Sequence, residues 1–130
     1  SCSSMKLKNT ELLPAYIRYD GPSYKILRKS SVIPITYIIS AKYGLIGYNE
    51  LIDDYEWKMD KQRAIDLNYE IVNELRSRID ESTEEIFLML GSTYLKSVSP
   101  IRTWSKSANV IIPEGGIGMK LSALKKWLAK

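Results

Sequence analysis

The run Ser40-Ala41-Lys42-Tyr43-Gly44 puts a cation and a phenol directly behind Ile35 to Ser40, a stretch rich in β-branched and apolar side chains. A lysine in that place can pair with a phosphate, and a tyrosine can stack on a base or donate its hydroxyl; a solvated lysine and a packing tyrosine are the alternative. Glu50, Asp53, Asp54 and Glu56 then bring four carboxylates into seven positions. Paired acids of this kind, with Asp53 the candidate, can activate water or hold Mg²⁺ through oxygen, whereas solvated loop acids need no role. Cys2 sits between Ser1 and Ser3 with Lys6 and Lys8 following, cations that can lower a thiol pKa, although a structural thiol fits the same residues. Gly115-Gly116-Ile117-Gly118 before a helix can form a phosphate-holding backbone nest or a plain tight connection. Gly91-Ser92-Thr93-Tyr94 reads equally as a helix cap or as a ligand contact.

The absences are as informative. The chain has no histidine and one cysteine, which removes Ser-His-Asp triads, Cys-His pairs and zinc sites built on several cysteines. Disulfides within the chain are impossible, pointing to a reducing, cytoplasmic setting. No metal and no cofactor are expected. Lys and Arg number 19 against 15 acids, a net charge of +4 with a pI near 9.1. That mild excess suits an anionic partner and also ordinary solvated lysines. No apolar run is long enough to cross a bilayer, and no basic-then-apolar signal segment opens the chain.

The elements that must position these residues follow from periodicity. Thr10 caps a short helix over residues 11–19, and Pro22 opens a second through Lys29. Ile35 to Ser40 reads as a parallel strand covered on both faces. Residues 41–59 form a long ordered connection. Asp60 caps a helix to about Ile79 whose stripe is Ile65, Asn68/Tyr69, Val72, Leu75 and Ile79. Glu85 to Leu90 is a strand, Ser92 caps a helix through Val98, and Asn109 to Ile112 is a third strand. A last helix, Met119 to Lys130, buries Leu121, Leu124, Trp127 and Leu128. The alternation predicts one α/β domain over residues 1–130, a three-layer, Rossmann-like parallel sheet with helices on both faces. Ligands bind such sheets at the strand carboxyl ends, gathering Ser3, Lys42, Tyr43, Gly44, Gly91, Ser92, Tyr94, Gly115, Gly116 and Gly118.

The stretch Ile39-Ser40-Ala41-Lys42-Tyr43-Gly44-Leu45-Ile46, with Leu51-Ile52, Tyr55 and Met59, resembles the signature of the YaaA-like superfamily and its small prokaryotic relatives. Ser1-Cys2-Ser3, Pro14-Ala15 through Tyr19 to Gly21-Pro22, and Gly91-Ser92-Thr93-Tyr94 match its other motifs. Asp54-Tyr55 stands where those proteins usually carry Pro-Tyr. The resemblance implies a fold like that of uracil-DNA glycosylases, and a first strand before the Ser-Cys-Ser loop that is missing here. It also implies the company of proteins associated with DNA binding and peroxide protection, and of archaeosine synthase, a tRNA-modifying enzyme.

The expected function is binding of a nucleotide, nucleobase or nucleic acid in that cleft, in nucleic-acid modification, repair or stress response. Cys2, Lys42 and Asp53 are the catalytic candidates. The alternative is a non-catalytic module that reads nucleic acid through Lys25, Arg28, Lys29, Lys125 and Lys126, or one whose open sheet edge pairs with another chain, as in a homodimer.

Overall fold

The computed structural model describes residues 12–19 and 21–130. In chain order these form β1 (Leu13–Pro14), α1 (Ala15–Arg18), α2 (Pro22–Lys29), β2 (Tyr37–Ser40), β3 (Gly44–Gly47) and β4 (Leu51–Ile52). Then come α3 (Lys61–Arg78), β5 (Glu85–Phe87), α4 (Ser92–Lys96), α5 (Arg102–Ser105), β6 (Asn109–Ile111) and α6 (Ile117–Leu128).

These strands do not build the expected three-layer, Rossmann-like parallel sheet. They form three separate pairs among the described residues: β1 with β4 antiparallel, β2 with β3 antiparallel, and β5 with β6 parallel. The departure starts at Gly44, whose φ of +76° is the left-handed conformation that glycine adopts freely. It lets the chain reverse within Ala41–Tyr43, so the run after Ser40 returns as β3, with Tyr37 opposite Gly47 and Ser40 opposite Gly44. Residues 41–59 therefore hold a hairpin arm and a short strand rather than one long connection. An apolar run alone does not distinguish a hairpin arm from a parallel strand. Between the β2 and β5 segments lies a cavity of about 530 Å³, lined among others by Ile39, Leu45, Leu88 and Leu90.

Coverage of β2 on both faces does hold, and the period of two explains it. Ile39 and Leu45 join a cluster with Leu67, Ile71, Leu75, Leu88, Leu90, Val98 and Trp104. Their neighbours Ile38 and Ile46 turn the other way, into a second cluster with Ala15, Tyr19, Tyr24, Ile52 and Tyr55. Trp104 is fully buried, and its indole nitrogen donates to the Val98 carbonyl at 2.8 Å, so the ring is enclosed without leaving its N–H unpaired.

In α3 the Asp60 carboxylate caps the helix as expected, accepting the Arg63 amide at 2.7 Å. Its buried stripe is Ala64, Leu67, Ile71, Val72 and Leu75, with Ile79 at the C-cap. Ile65 and Tyr69 face solvent at 52% and 81% exposure, so the expected stripe was out of phase in the first half of the helix. Two other expectations shift. Gly91, not Ser92, is the N-cap of α4, and the final helix starts at Ile117 with Leu124 its one buried residue. No helix among the described residues is long and apolar enough to cross a membrane.

Candidate functional site

Ser40 closes β2 and is itself fully buried. Its hydroxyl oxygen accepts the amides of Lys42 and Tyr43, each at 3.2 Å, which shapes the turn that presents both side chains. The Tyr55 hydroxyl lies 2.6 Å from Ser40 Oγ, and the Tyr19 hydroxyl lies 2.5 Å beyond it. A serine oxygen has two lone pairs, both taken here by amides, so the Ser40 proton goes to Tyr55, and Tyr55 shares one further hydrogen bond with Tyr19. The turn is thereby locked to the end of α1 and to the segment after β4 by a chain of buried hydroxyls.

On the outer side of the turn, Lys42 Nζ donates to Asp53 Oδ2 at 2.9 Å, and the Tyr43 hydroxyl donates to Asp53 Oδ1. The β1–β4 pairing delivers Asp53, one residue past Ile52. The Tyr43 hydroxyl, then the Lys42 ammonium, hold the Asp53 carboxyl below its ordinary value. Asp53 in turn holds Lys42 above its own, ahead of an opposing desolvation effect. The Lys42 ammonium also lies 5.1 Å and 5.8 Å from the Tyr43 and Tyr55 ring centroids, and those rings meet edge to face.

Arg63, in the first turn of α3, completes the surroundings. Its Nε donates to the Ala41 carbonyl at 2.6 Å and its Nη2 to the Lys42 carbonyl at 3.3 Å. The same guanidinium stacks 4.1 Å from the ring centroid of Trp57, which is 48% exposed. An exposed indole is thus fixed next to the Lys42 turn. Tyr55 figured in the motif resemblance but not among the candidate site residues; Tyr19, Trp57 and Arg63 were not foreseen there either. The usable signal for Trp57 and Arg63 was an aromatic and an arginine flanking the Asp60 cap.

Lys42, Tyr43 and Asp53 are brought together, with Gly44 as the hinge. Of the other three acids, Glu50 accepts the Gly47 amide at 2.6 Å to close a turn, Glu56 is exposed and Asp54 half-buried. Among the described residues no three acids converge into a metal-holding group. Gly91 caps α4 with Ser92 and Tyr94 in that helix, while Gly115 and Gly116 lead into α6, which contains Gly118. Lys120 Nζ reaches the Leu90 carbonyl at 3.5 Å, so these two glycine segments neighbour each other. They stand on other elements than the hydrogen bonds of the Lys42 cluster. Cys2 and Ser3 lie outside the described residues. The cluster lines neither the 530 Å³ cavity nor the open groove of about 1050 Å³ between Tyr16, Arg28, Ile35 and Tyr48.

The match to known families covers residues 1–126, and it is to DUF6884, a family of unknown function. The chain belongs to the DUF6884 family. No curated protein and no solved structure matches it. In this DUF6884 chain, then, the chemistry of the site rests on the residues themselves: an ionised carboxylate, an ammonium held beside it, two tyrosine rings and an exposed indole.

Proposed function

We propose that this DUF6884 chain binds a nucleobase-bearing ligand, a nucleotide or nucleic acid, at the Lys42–Tyr43–Asp53 surface. One arrangement carries the proposal: a carboxylate and an ammonium 2.9 Å apart on a turn whose main chain Arg63 ties to an indole that is 48% exposed. A base presents a flat π-face and an edge of donors and acceptors. Each Asp53 oxygen keeps a lone pair for a base N–H, Lys42 keeps a proton beyond those that Asp53 and Tyr43 take for a carbonyl or ring-nitrogen acceptor, and Trp57 supplies stacking surface. The motif resemblance to YaaA-like proteins supports the same direction, since those are associated with DNA binding.

Both charged groups are better suited to binding than to proton transfer. A carboxyl held low is a weak base near neutrality, and an amine held high is a poor nucleophile. A covalent step would fall to Cys2, and the non-catalytic module is the version of this function that needs no such step. The test is a thermal-shift and fluorescence titration with adenosine, guanosine, cytidine and uridine and their monophosphates. At least one base gives a saturable response that Asp53→Asn and Lys42→Ala each weaken by about tenfold, equivalent to about 1.4 kcal/mol. Flat titrations with all eight overturn it.

A further inference from the structure

Two helices far apart in sequence carry the chain's positive excess. Lys25, Arg28 and Lys29 lie on α2, and Lys120, Lys125 and Lys126 on α6, and neither helix contains an acid. Taking these six from the 19 cations leaves 13 against all 15 acids, so the remainder of the chain is net negative. The fold places the two helices side by side. Tyr24 and Leu27 of α2 line the same cavity as Leu124 and Trp127 of α6, so the two acid-free helices turn their apolar sides to one space and leave their lysines outside it. Lys25 and Lys29, four residues apart, share one face of α2. These four lysines are exposed and make no ion pair among the described residues. Arg28 and Lys120 are spent on main-chain carbonyls, those of Tyr16 and Leu90.

We infer that the α2/α6 face binds the phosphate backbone of a nucleic acid. The inference stands on charge placement alone and does not need the Lys42 surface to read a base. A polyanion with regularly spaced charges matches four lysines on a rigid two-helix surface, each displacing a condensed counterion. An anionic membrane is the weaker fit, because interfacial helices set large aliphatics beside their cations. α2 exposes no large apolar residue, and the exposed Ile117 and Met119 of α6 lie at its first turn, about 9–12 Å along the helix from Lys125.

The experiment is fluorescence anisotropy of the whole chain with a labelled mixed-sequence 20-mer, single-stranded and duplex, between 50 and 200 mM salt. Four phosphate contacts give a log–log slope of about −2.8 on single strands and −3.6 on duplex, a loss of roughly 50-fold to 150-fold across that range. Neutralising the four lysines together (K25Q/K29Q/K125Q/K126Q) flattens the slope and removes most of the affinity. Neutralising the exposed pair Lys58 and Lys61 (K58Q/K61Q) leaves the slope within one unit. Binding that survives the fourfold change, or that the control pair reduces as much, overturns the inference. So does tight binding to phosphatidylserine vesicles with no binding to either oligonucleotide. A loss with the fourfold variant while Asp53→Asn still weakens nucleosides, or the reverse, separates this surface from the base site.

Discussion

The Ser40 and Tyr55 hydroxyls lie 2.6 Å apart, both on residues with almost no exposure, and they join the end of β2 to the segment that carries Asp53. Tyr55→Phe deletes the acceptor for Ser40 and the hydrogen bond with Tyr19 together. It is expected to cost about 1–3 kcal/mol in urea unfolding, the penalty for stranding buried polar groups. Ser40→Ala is expected to fall in the same range, because it strands the amides of Lys42 and Tyr43. The double variant loses less than the sum. Strict additivity would mean that the two hydroxyls do not act as a chain.

Stability should respond to pH at both ends of the scale. Asp53 has a lower folded than unfolded pKa, so its contribution is complete above the unfolded value, about 3.9, and is lost as the pH falls through the folded one. Asp80, lowered by the Ser82 hydroxyl and amide, acts in the same direction. Lys42 is raised, so its contribution is present below its ordinary 10.5 and is lost as the pH rises through the folded value. Water screens the pair, whose side chains are 36% and 43% exposed, and keeps both effects small. Asp53→Asn shrinks the alkaline loss to the part that Tyr43 causes and leaves the Asp80 part of the acid loss. The check is melting temperature against pH, with an NMR titration of the Asp53 carboxyl. A carboxyl titrating at its unfolded value would contradict the cluster.

Local chemistry was legible where one residue type decides it. Asp60 as a cap, Pro22 at a helix start and the unbroken run before Ser40 needed only short-range sterics and burial. The sheet was not legible, because hairpin and parallel strand share the same apolar run and Gly44 decides between them through one dihedral angle. Lys42, Tyr43 and Asp53 were named from their types. That they meet depends on β4 pairing with β1, a long-range contact that neither Leu51 nor Leu13 signals by periodicity. The lysines of α2 and α6 likewise come onto neighbouring helices only once α2 and α6 pack together.

The glycines before and in α6 should separate by conformation. Gly115 has φ +92°, and an added Cβ would sit 2.6 Å from Met119 Sδ and 3.1 Å from its Cβ. Gly115→Ala is therefore expected to destabilise by about 1–2 kcal/mol through the left-handed backbone alone. Gly118 lies within the helix, and a Cβ there meets nothing within 4 Å. Gly118→Ala is expected to stabilise by about 0.5–1 kcal/mol, the difference in helix propensity. Denaturant midpoints decide, and equal effects at the two positions would be inconsistent with this geometry.

Arg63 links the start of α3 to the Lys42 turn and to Trp57, so its loss should appear first at the indole. Arg63→Ala removes the donors to the Ala41 and Lys42 carbonyls and the guanidinium stacked 4.1 Å from the Trp57 ring. The α3 cap persists, since Asp60 accepts the residue-63 amide and not its side chain. Trp57 emission is expected to shift to longer wavelength and to become more quenchable by acrylamide, with little change in helix content. Trp104 is fully buried and stays silent, while Trp127, tilted against Phe87 at 5.0 Å, stays constant. In a Trp57→Phe background the Arg63→Ala change should be invisible in emission. If quenching rises as much without Trp57, Arg63 supports a wider region than the stack, and base binding in Arg63→Ala would fall through unfolding of the turn rather than through loss of an ordered aromatic surface.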